Sequence, residues 1–216
     1  LMAHYSKDPI MLDSFRNNED IHKRTASEIF GVEISDVDSQ MRRRAKTINF
    51  GLLYGMSSFG LSNQLEVSRT EADIFLNNYF ERYAAVKTFM TNIVEQAKKD
   101  KFVKTLYNRK IHVPNIGASN YMMRQGSERA AINGPLQGSA ADIIKIAMIN
   151  IQNWINKSKS NVRMILQVHD ELIFEIPDHF SDEDIKPIIE IMEETTKINV
   201  PLKVEYGFGS NWREAH

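Results

Sequence analysis

The chain has 216 residues, 42% of them hydrophobic and 25% charged, which is enough for one large core or two modest ones. The absence of cysteine excludes a disulfide framework and a thiolate metal site, and it suits a reducing cytoplasm. No apolar run approaches the roughly 20 residues that span a membrane, so we expect no membrane partner. The net charge of −1 argues against a uniformly basic nucleic-acid-binding protein, although basic residues cluster locally.

Helix signals dominate the first half of the chain. Asp20 has the acceptor side chain of a helix N-cap, and Gly31 is a typical terminator, so a helix is predicted over residues 21–30. Ser39 is expected to cap a second helix that continues through Tyr54.

Further helices are predicted downstream. A short helix is expected over residues 57–65, and Ser68 with Glu71 has the spacing of a capping box. The box begins one long amphipathic stretch, whose apolar side chains recur every three or four residues. These side chains are Phe75, Tyr79, Tyr83, Val86, Met90, Ile93 and Ala97. We interpret them as a packed core face.

A hairpin and a second helical region follow. Residues 102–113 are rich in strand and turn formers, with Asn108 and Arg109 at the expected tip. Residues 121–157 have a helical pattern that we expect to be interrupted before Pro135, because a residue preceding proline avoids the helical region.

The last third changes character. Two apolar, β-branched runs, residues 162–168 and 172–176, flank His169-Asp170-Glu171 and predict a hairpin. A helix over residues 181–196 and a strand over residues 202–208 are expected after it. Helices followed by a small antiparallel sheet predict an α+β fold.

The first candidate site is a stripe on the helix that follows Ser39. Arg42, Lys46, Phe50 and Tyr54 are four residues apart, so they wind slowly along one face. Two cations suit the oxygens of a triphosphate, and two aromatic rings suit a sugar and a base. An ordinary amphipathic helix with solvated cations has the same spacing.

Two further groups carry polar side chains. Asp170 and Glu171 would present hard oxygen ligands for Mg²⁺ at a hairpin tip, although such a pair also occurs in plain solvated turns. Arg129, Asn133 and Gln137 line a helix at four-residue spacing and are donors suited to the minor groove, or else an ordinary polar surface.

Residues 43–55, RRAKTINFGLLYG, resemble the nucleotide-binding helix of family A DNA polymerases. The resemblance implies that Arg42 and Lys46 hold the incoming triphosphate, and that Lys46 protonates the departing pyrophosphate. It also implies that Phe50 packs on the sugar and Tyr54 lies near the templating base. His22, by itself a candidate structural histidine, is implied to lie near the triphosphate.

The segment QVHDE at residues 167–171 resembles a metal-binding motif of the same family. This resemblance implies that Asp170 binds Mg²⁺, that Glu171 is an auxiliary carboxylate and that His169 contacts the primer end. Two Mg²⁺ ions are implied for the complete enzyme. The segment at residues 128–138, which holds Arg129, Asn133 and Gln137, is similar to the family's minor-groove helix.

The resemblance also implies an organisation and a reaction. Residues 20–117 would form the fingers, and residues 1–19 and 118–216 part of the palm. The parent would be a monomeric, template-directed DNA polymerase with primer-template DNA and deoxynucleoside triphosphates as partners. Because the chain begins with Leu1 and the family's first catalytic aspartate would precede it, we expect a fragment that is inactive alone. A noncatalytic DNA-binding scaffold and an RNA-copying relative remain as alternatives.

Overall fold

The computed structural model describes residues 1–53 and 55–215 and divides into two compact units, residues 1–139 and 140–216. Helices dominate and the strands form two small antiparallel sheets, which confirms the predicted α+β class. The first unit begins with a series of α-helices. They are α1 Met2–Ser6, α2 Pro9–Arg16, α3 Ile21–Phe30, α4 Ser39–Leu53, α5 Ser58–Leu65, α6 Arg69–Arg82 and α7 Ala84–Asp100. The hairpin β1 Phe102–Lys104 and β2 Lys110–His112 follows them, and α8 Tyr121–Ser158 runs from the first unit into the second.

The ends of α3 agree with the prediction. One carboxylate oxygen of Asp20 accepts the backbone N–H groups of His22 and Lys23, which would otherwise lack partners in the first turn. Gly31 has φ +67°, a left-handed conformation that glycine adopts without strain. The cap and the terminator therefore set both helix ends locally.

The cap of α4 differs from the prediction. Ser39 is already helical, and the preceding Asp38 accepts the backbone N–H of Met41 at 2.7 Å. The proposed Ser39 cap is wrong, because an aspartate one residue earlier already satisfies this donor. The expected last residue of the helix, Tyr54, lies outside the described residues.

The long amphipathic stretch is two helices rather than one. The predicted capping box at Ser68 and Glu71 begins α6, and the chain leaves helical geometry at Tyr83, with φ −104° and ψ 58°. Tyr83 is fully buried, so the apolar stripe continues through the break. Spacing alone does not reveal such a break, because three- and four-residue intervals persist on both sides.

Helix α8 is continuous across Pro135, which corrects the predicted interruption. Proline removes one helical hydrogen bond, but Pro135 is fully buried and packing offsets that loss. Its carbonyl also accepts the Ser139 hydroxyl and, at 3.4 Å, the Tyr5 hydroxyl. None of the helices in residues 1–53 and 55–215 is long and apolar enough to cross a membrane.

The β1–β2 hairpin packs on α7 and α8. Asn108 occupies the left-handed region at φ +61°, which confirms the predicted tip. The core beneath the hairpin is small and apolar, and its buried members are Ala97, Val103, Val113, Ile116 and Ala131. The close approach of α8 to the hairpin depends on Gly134 and Gly138.

Replacing Gly138 with alanine is expected to lower the free energy of unfolding by about 1–3 kcal/mol, because overpacking displaces neighbours. The new Cβ atom would lie 2.7 Å from Thr105 Cγ2 and 2.8 Å from Ile111 Cδ1. Thr105 is only 5% exposed and has little room to move. Urea denaturation of the chain measures the change.

Gly126 provides the matched control on the same helix. A Cβ atom there meets nothing within 4 Å, so Gly126→Ala is expected to stabilise the chain by up to about 1 kcal/mol through helix propensity. Equal effects of the two substitutions would show that α8 does not pack closely on the hairpin.

The second unit contains the end of α8, the hairpin β3 Arg163–Val168 and β4 Glu171–Glu175, α9 Asp182–Glu193 and α10 Trp212–Ala215. Its core joins Ile151 and Ile155 of α8 to Val162 and Ile188. The predicted hairpin is confirmed, with only His169 and Asp170 in the turn, since Glu171 pairs with Val168 as the first residue of β4.

The strand expected over residues 202–208 is absent from the described part of the chain. The backbone N–H of Val204 is donated to Glu193 Oε1 at 2.9 Å instead of to a neighbouring strand. A β-forming sequence needs a strand partner for its backbone groups, and here a side chain of α9 supplies one acceptor.

Candidate functional site

Helices α3 and α4 pack side by side and bring four predicted residues together. The ring of Phe50 lies 5.9 Å from the Lys46 ammonium nitrogen and, centroid to centroid, 5.9 Å from the ring of His22. Arg42 lies one turn before Lys46 on α4. The described members of the predicted stripe therefore form one face, on which His22 of the neighbouring helix joins them, while Tyr54 lies outside the described residues.

Arg42 is tied to the start of α3. Its Nε donates to Asp20 Oδ2 at 2.7 Å, while Asp20 Oδ1 caps the first turn of α3. Partial burial acts to raise the pKa of Asp20, but hydrogen bonds from Arg42 and from the Lys23 and His22 backbone lower it below its usual value. The charged carboxylate therefore links the two helices and orients Arg42.

Lys46 is an exposed cation. Within residues 1–53 and 55–215 it forms no ion pair, and its nearest described ring is Phe50. Phe50 is 43% exposed, unusually open for a phenylalanine. The face therefore offers an unneutralised ammonium group beside an open aromatic ring, and these are the groups that an anionic, partly aromatic ligand binds.

His22 is half-buried and neutral at about pH 7. Burial lowers its pKa, the charge of Asp20 acts to raise it, and the charges of Arg42 and Lys46 lower it further. Its Nδ1 lies 3.1 Å from the side-chain nitrogen of Asn49. The ring is thus held from its buried side, and the other side adjoins the open face.

A cavity of about 160 Å³ adjoins this face. His22, Asn49 and Phe50 line it together with apolar side chains from the start of the chain and from α2, α3 and α6. Asn49 and Asp20 were not predicted as site residues. The sequence did contain a signal for each of them. Asn49 is a poor helix former inside a predicted helix, and Asp20 is a predicted N-cap whose carboxylate has a second oxygen besides the one that caps.

The hairpin of the second unit holds the predicted carboxylates. His169 has φ +51° and Asp170 is exposed beside it, while Glu171 is half-buried at the start of β4. The Gln167 side-chain nitrogen donates to the His169 carbonyl at 2.6 Å and braces the turn. Exposed carboxylate oxygens at a braced turn are suitable ligands for a hard cation.

The described residues contain no group of three or more His, Cys, Asp or Glu side chains that could hold a metal ion. Asp170 and Glu171 form an adjacent pair of carboxylates, and carboxylate oxygens are the hard ligands that Mg²⁺ prefers.

The predicted polar stripe on α8 faces outward. Arg129 and Gln137 are exposed and Asn133 is half-buried between them. Gly55, at φ +63°, packs against Arg129 so closely that a Cβ atom would lie 2.6 Å from Arg129 Cγ. Gly55, which follows the predicted nucleotide helix, is therefore in contact with the first residue of the α8 stripe.

The model of DNA polymerase family A matches residues 1–214. The chain belongs to this family. DNA polymerase I of Pseudomonas aeruginosa is 47% identical over 216 residues, which are 100% of this chain and 24% of that protein. DNA polymerase I of Bacillus caldotenax is 43% identical over 215 residues, again 100% of this chain and 24% of the relative.

A solved structure agrees with the family assignment. The POL domain of Pol1 from M. smegmatis, in complex with DNA primer-template and dNTP, has a TM-score of 0.95 and 41% identity. The match covers 99% of this chain and 38% of that chain. The chain thus spans about a quarter of the length of the curated relatives it matches.

Proposed function

We propose that this segment carries the nucleotide-binding helix and one metal-binding carboxylate pair of a template-directed DNA polymerase. The reaction adds a deoxynucleotide to a primer 3′ end with release of pyrophosphate. The observation that carries the proposal is the face on which Arg42, Lys46, His22 and Phe50 meet. The partners are primer-template DNA and deoxynucleoside triphosphates, as in the complex described for the M. smegmatis relative.

Three residues of the face have distinct roles, and the fourth, His22, lies near the triphosphate. Lys46 contacts the triphosphate and gives a proton to the departing pyrophosphate, for which its exposed ammonium group, without an ion pair among the described residues, is suited. Arg42 binds phosphate oxygens through the planar guanidinium group that Asp20 orients. Phe50 packs on the sugar. Tyr54 is proposed to be near the templating base, although it is not among the described residues.

The hairpin acts on the metal side of the reaction. Asp170 is the direct Mg²⁺ ligand, Glu171 an auxiliary carboxylate and His169 a contact to the primer end. Bound Mg²⁺ supplies charge neutralisation at the attacking and leaving oxygens of a phosphoryl transfer. The turn supports this role because Asp170 is exposed on it and the Gln167 side chain donates a hydrogen bond to the adjacent His169 carbonyl.

Arg129, Asn133 and Gln137 are proposed to follow the minor groove of the primer-template duplex. Their outward-facing stripe on α8 supplies donors for minor-groove acceptors and sugar-phosphate oxygens. Residues 20–117 would then form the fingers, and residues 1–19 and 118–216 part of the palm.

Primer extension by the full-length gene product tests the function. Template-directed, Mg²⁺-dependent incorporation is expected, and DNA binding without incorporation would favour a noncatalytic scaffold. Residues 1–216 alone are expected to extend no primer, because the described residues contain no group of three or more His, Cys, Asp or Glu side chains that could hold metal ions. A two-metal reaction holds its ions about 4 Å apart with ligands from more than one carboxylate group.

Replacing Phe50 with tyrosine is expected to raise incorporation of dideoxynucleotides relative to deoxynucleotides by about tenfold or more, the equivalent of one hydrogen bond. The added hydroxyl would occupy the vacancy beside a sugar that lacks its 3′-OH. Competition between the two nucleotide types in a primer-extension assay measures the ratio.

Phe59→Tyr is the matched control, since Phe59 is also exposed, at 61%, but lies on α5. It should leave the ratio unchanged. An unchanged ratio in Phe50→Tyr would show that Phe50 does not lie against the sugar.

A further inference from the structure

A buried polar cluster lies directly behind the nucleotide-binding face. The Asn49 side-chain nitrogen is 3.1 Å from the Thr25 hydroxyl, which in turn is 3.4 Å from the Tyr83 hydroxyl. Asn49 is 8% exposed, and Thr25 and Tyr83 are fully buried. Burial raises the pKa of Tyr83, so its hydroxyl stays protonated and can donate within the cluster. The cluster thus holds the Asn49 amide in place between α3, α4 and Tyr83.

The same amide faces His22. Its nitrogen lies 3.1 Å from His22 Nδ1, and an amide nitrogen has two hydrogens, enough for Thr25 and His22 at once. His22 Nε2 makes no hydrogen bond to any residue of the described ranges, and its ring borders the face formed by Lys46 and Phe50. The two ring nitrogens therefore have different surroundings, an amide donor on one side and the open face on the other.

The chemistry of the ring limits how these contacts are made. A neutral imidazole has one N–H, and its other nitrogen accepts. An amide N–H only donates, so Nδ1 must accept from Asn49, and the proton then resides on Nε2. Phosphate oxygens only accept at neutral pH, which means that a neutral His22 binds them solely from a protonated Nε2.

We propose that Asn49 is a positioning residue that holds His22 in its Nε2–H tautomer, so that the uncharged ring donates a hydrogen bond to the triphosphate of the incoming nucleotide. The inference rests on the proposed nucleotide site. It adds a residue that does not touch the nucleotide and acts through His22.

The charges around His22 make the tautomer important. Asp20, which caps the same helix, and Arg42 and Lys46 on α4 act on its ring, while Tyr79 lines the adjoining cavity. Burial and the two cations favour the neutral ring. A protonated ring, which donates from both nitrogens whatever faces it, is therefore a minor form near neutral pH.

The pH dependence of nucleotide affinity in an Asn49→Asp variant of the full-length gene product tests the proposal. A carboxylate accepts from Nδ1–H, so it raises the pKa of His22 and leaves Nε2 without a proton once the ring is neutral. As the pH rises from about 6.5 to 9, the affinity of the Asn49→Asp variant for a deoxynucleoside triphosphate should fall. This fall should be about tenfold larger than the change in the unsubstituted protein over the same range. Affinity falls with rising pH, and not with falling pH, because the charged ring that is present at low pH still donates from Nε2.

Two comparisons separate this effect from general damage. In the His22→Ala/Asn49→Asp double variant, the added pH dependence should disappear. Asn78→Asp is the matched control, since Asn78 also donates to α3, at the Ile29 carbonyl, but does not contact His22. An Asn49→Asp profile parallel to that of Asn78→Asp would overturn the proposal.

The tautomer can also be measured directly without substituting Asn49. Solid-state NMR spectra of the full-length gene product with ¹⁵N-labelled histidine distinguish protonated from unprotonated ring nitrogens, and the His22 signals are those lost in His22→Gln. We expect a protonated Nε2 and an unprotonated Nδ1 at about pH 8, above the ordinary histidine pKa. A protonated Nδ1 would overturn the inference. If Lys46→Ala and His22→Ala both left nucleotide affinity unchanged, the proposed function itself would fail, whatever the tautomer.

Discussion

Replacing Lys46 with alanine in the full-length gene product is expected to lower kcat/KM for deoxynucleotide incorporation by about 10²–10³-fold, as losing one well-placed transition-state donor does. The substitution removes a triphosphate contact and a proton donor together, so both kcat and apparent nucleotide affinity should fall. Lys46 is exposed and unpaired among the described residues, and its removal leaves no buried partner unsatisfied. Single-nucleotide incorporation kinetics measure both quantities.

Lys23→Ala is the control for a general loss of positive charge. Lys23 is also exposed, lies next to His22 on α3 and is not part of the proposed site. A comparable loss in Lys23→Ala would indicate that the local field attracts the nucleotide without a specific contact. Incorporation by Lys46→Ala at the unsubstituted rate would contradict the assignment of the face.

Replacing Asp170 with asparagine is expected to lower the incorporation rate by about a thousandfold or more, because a metal ligand loses its charge without a change of shape. Binding of primer-template DNA should change little, since Asp170 is exposed at a turn that Gln167 braces independently. Rapid-quench kinetics and a DNA-binding titration on the same preparation separate the two effects.

Asp178→Asn is the matched control, since Asp178 is an exposed aspartate of the same unit outside the hairpin. It should leave both measurements unchanged. An equal loss of DNA binding and of incorporation in Asp170→Asn would identify a structural turn instead of a metal ligand.

Several elements were predictable because their signals are local. The cap at Asp20 and the left-handed Gly31 involve backbone groups within one turn of themselves, so their effect does not depend on the rest of the chain. The β3–β4 hairpin was predictable for a similar reason, because two short apolar runs flank a two-residue turn within one continuous stretch of chain.

Two of the errors occurred where residues outside the predicted segment decide the outcome. Pro135 does not break α8, because burial of the ring against the rest of the first unit outweighs the lost hydrogen bond. The predicted strand at residues 202–208 had suitable residues, but its backbone groups found the side chain of Glu193 as a partner instead of a strand.

The same distinction between local signals and long-range packing applies to the candidate site. The sequence by itself determined that Arg42, Lys46 and Phe50 share a helix face, because a four-residue interval is nearly one helical turn. Only the tertiary structure decided that His22 of α3 joins that face and that Asn49 contacts its Nδ1. Residues 22 and 49 are 27 positions apart, and no local spacing encodes a contact that depends on how two helices pack.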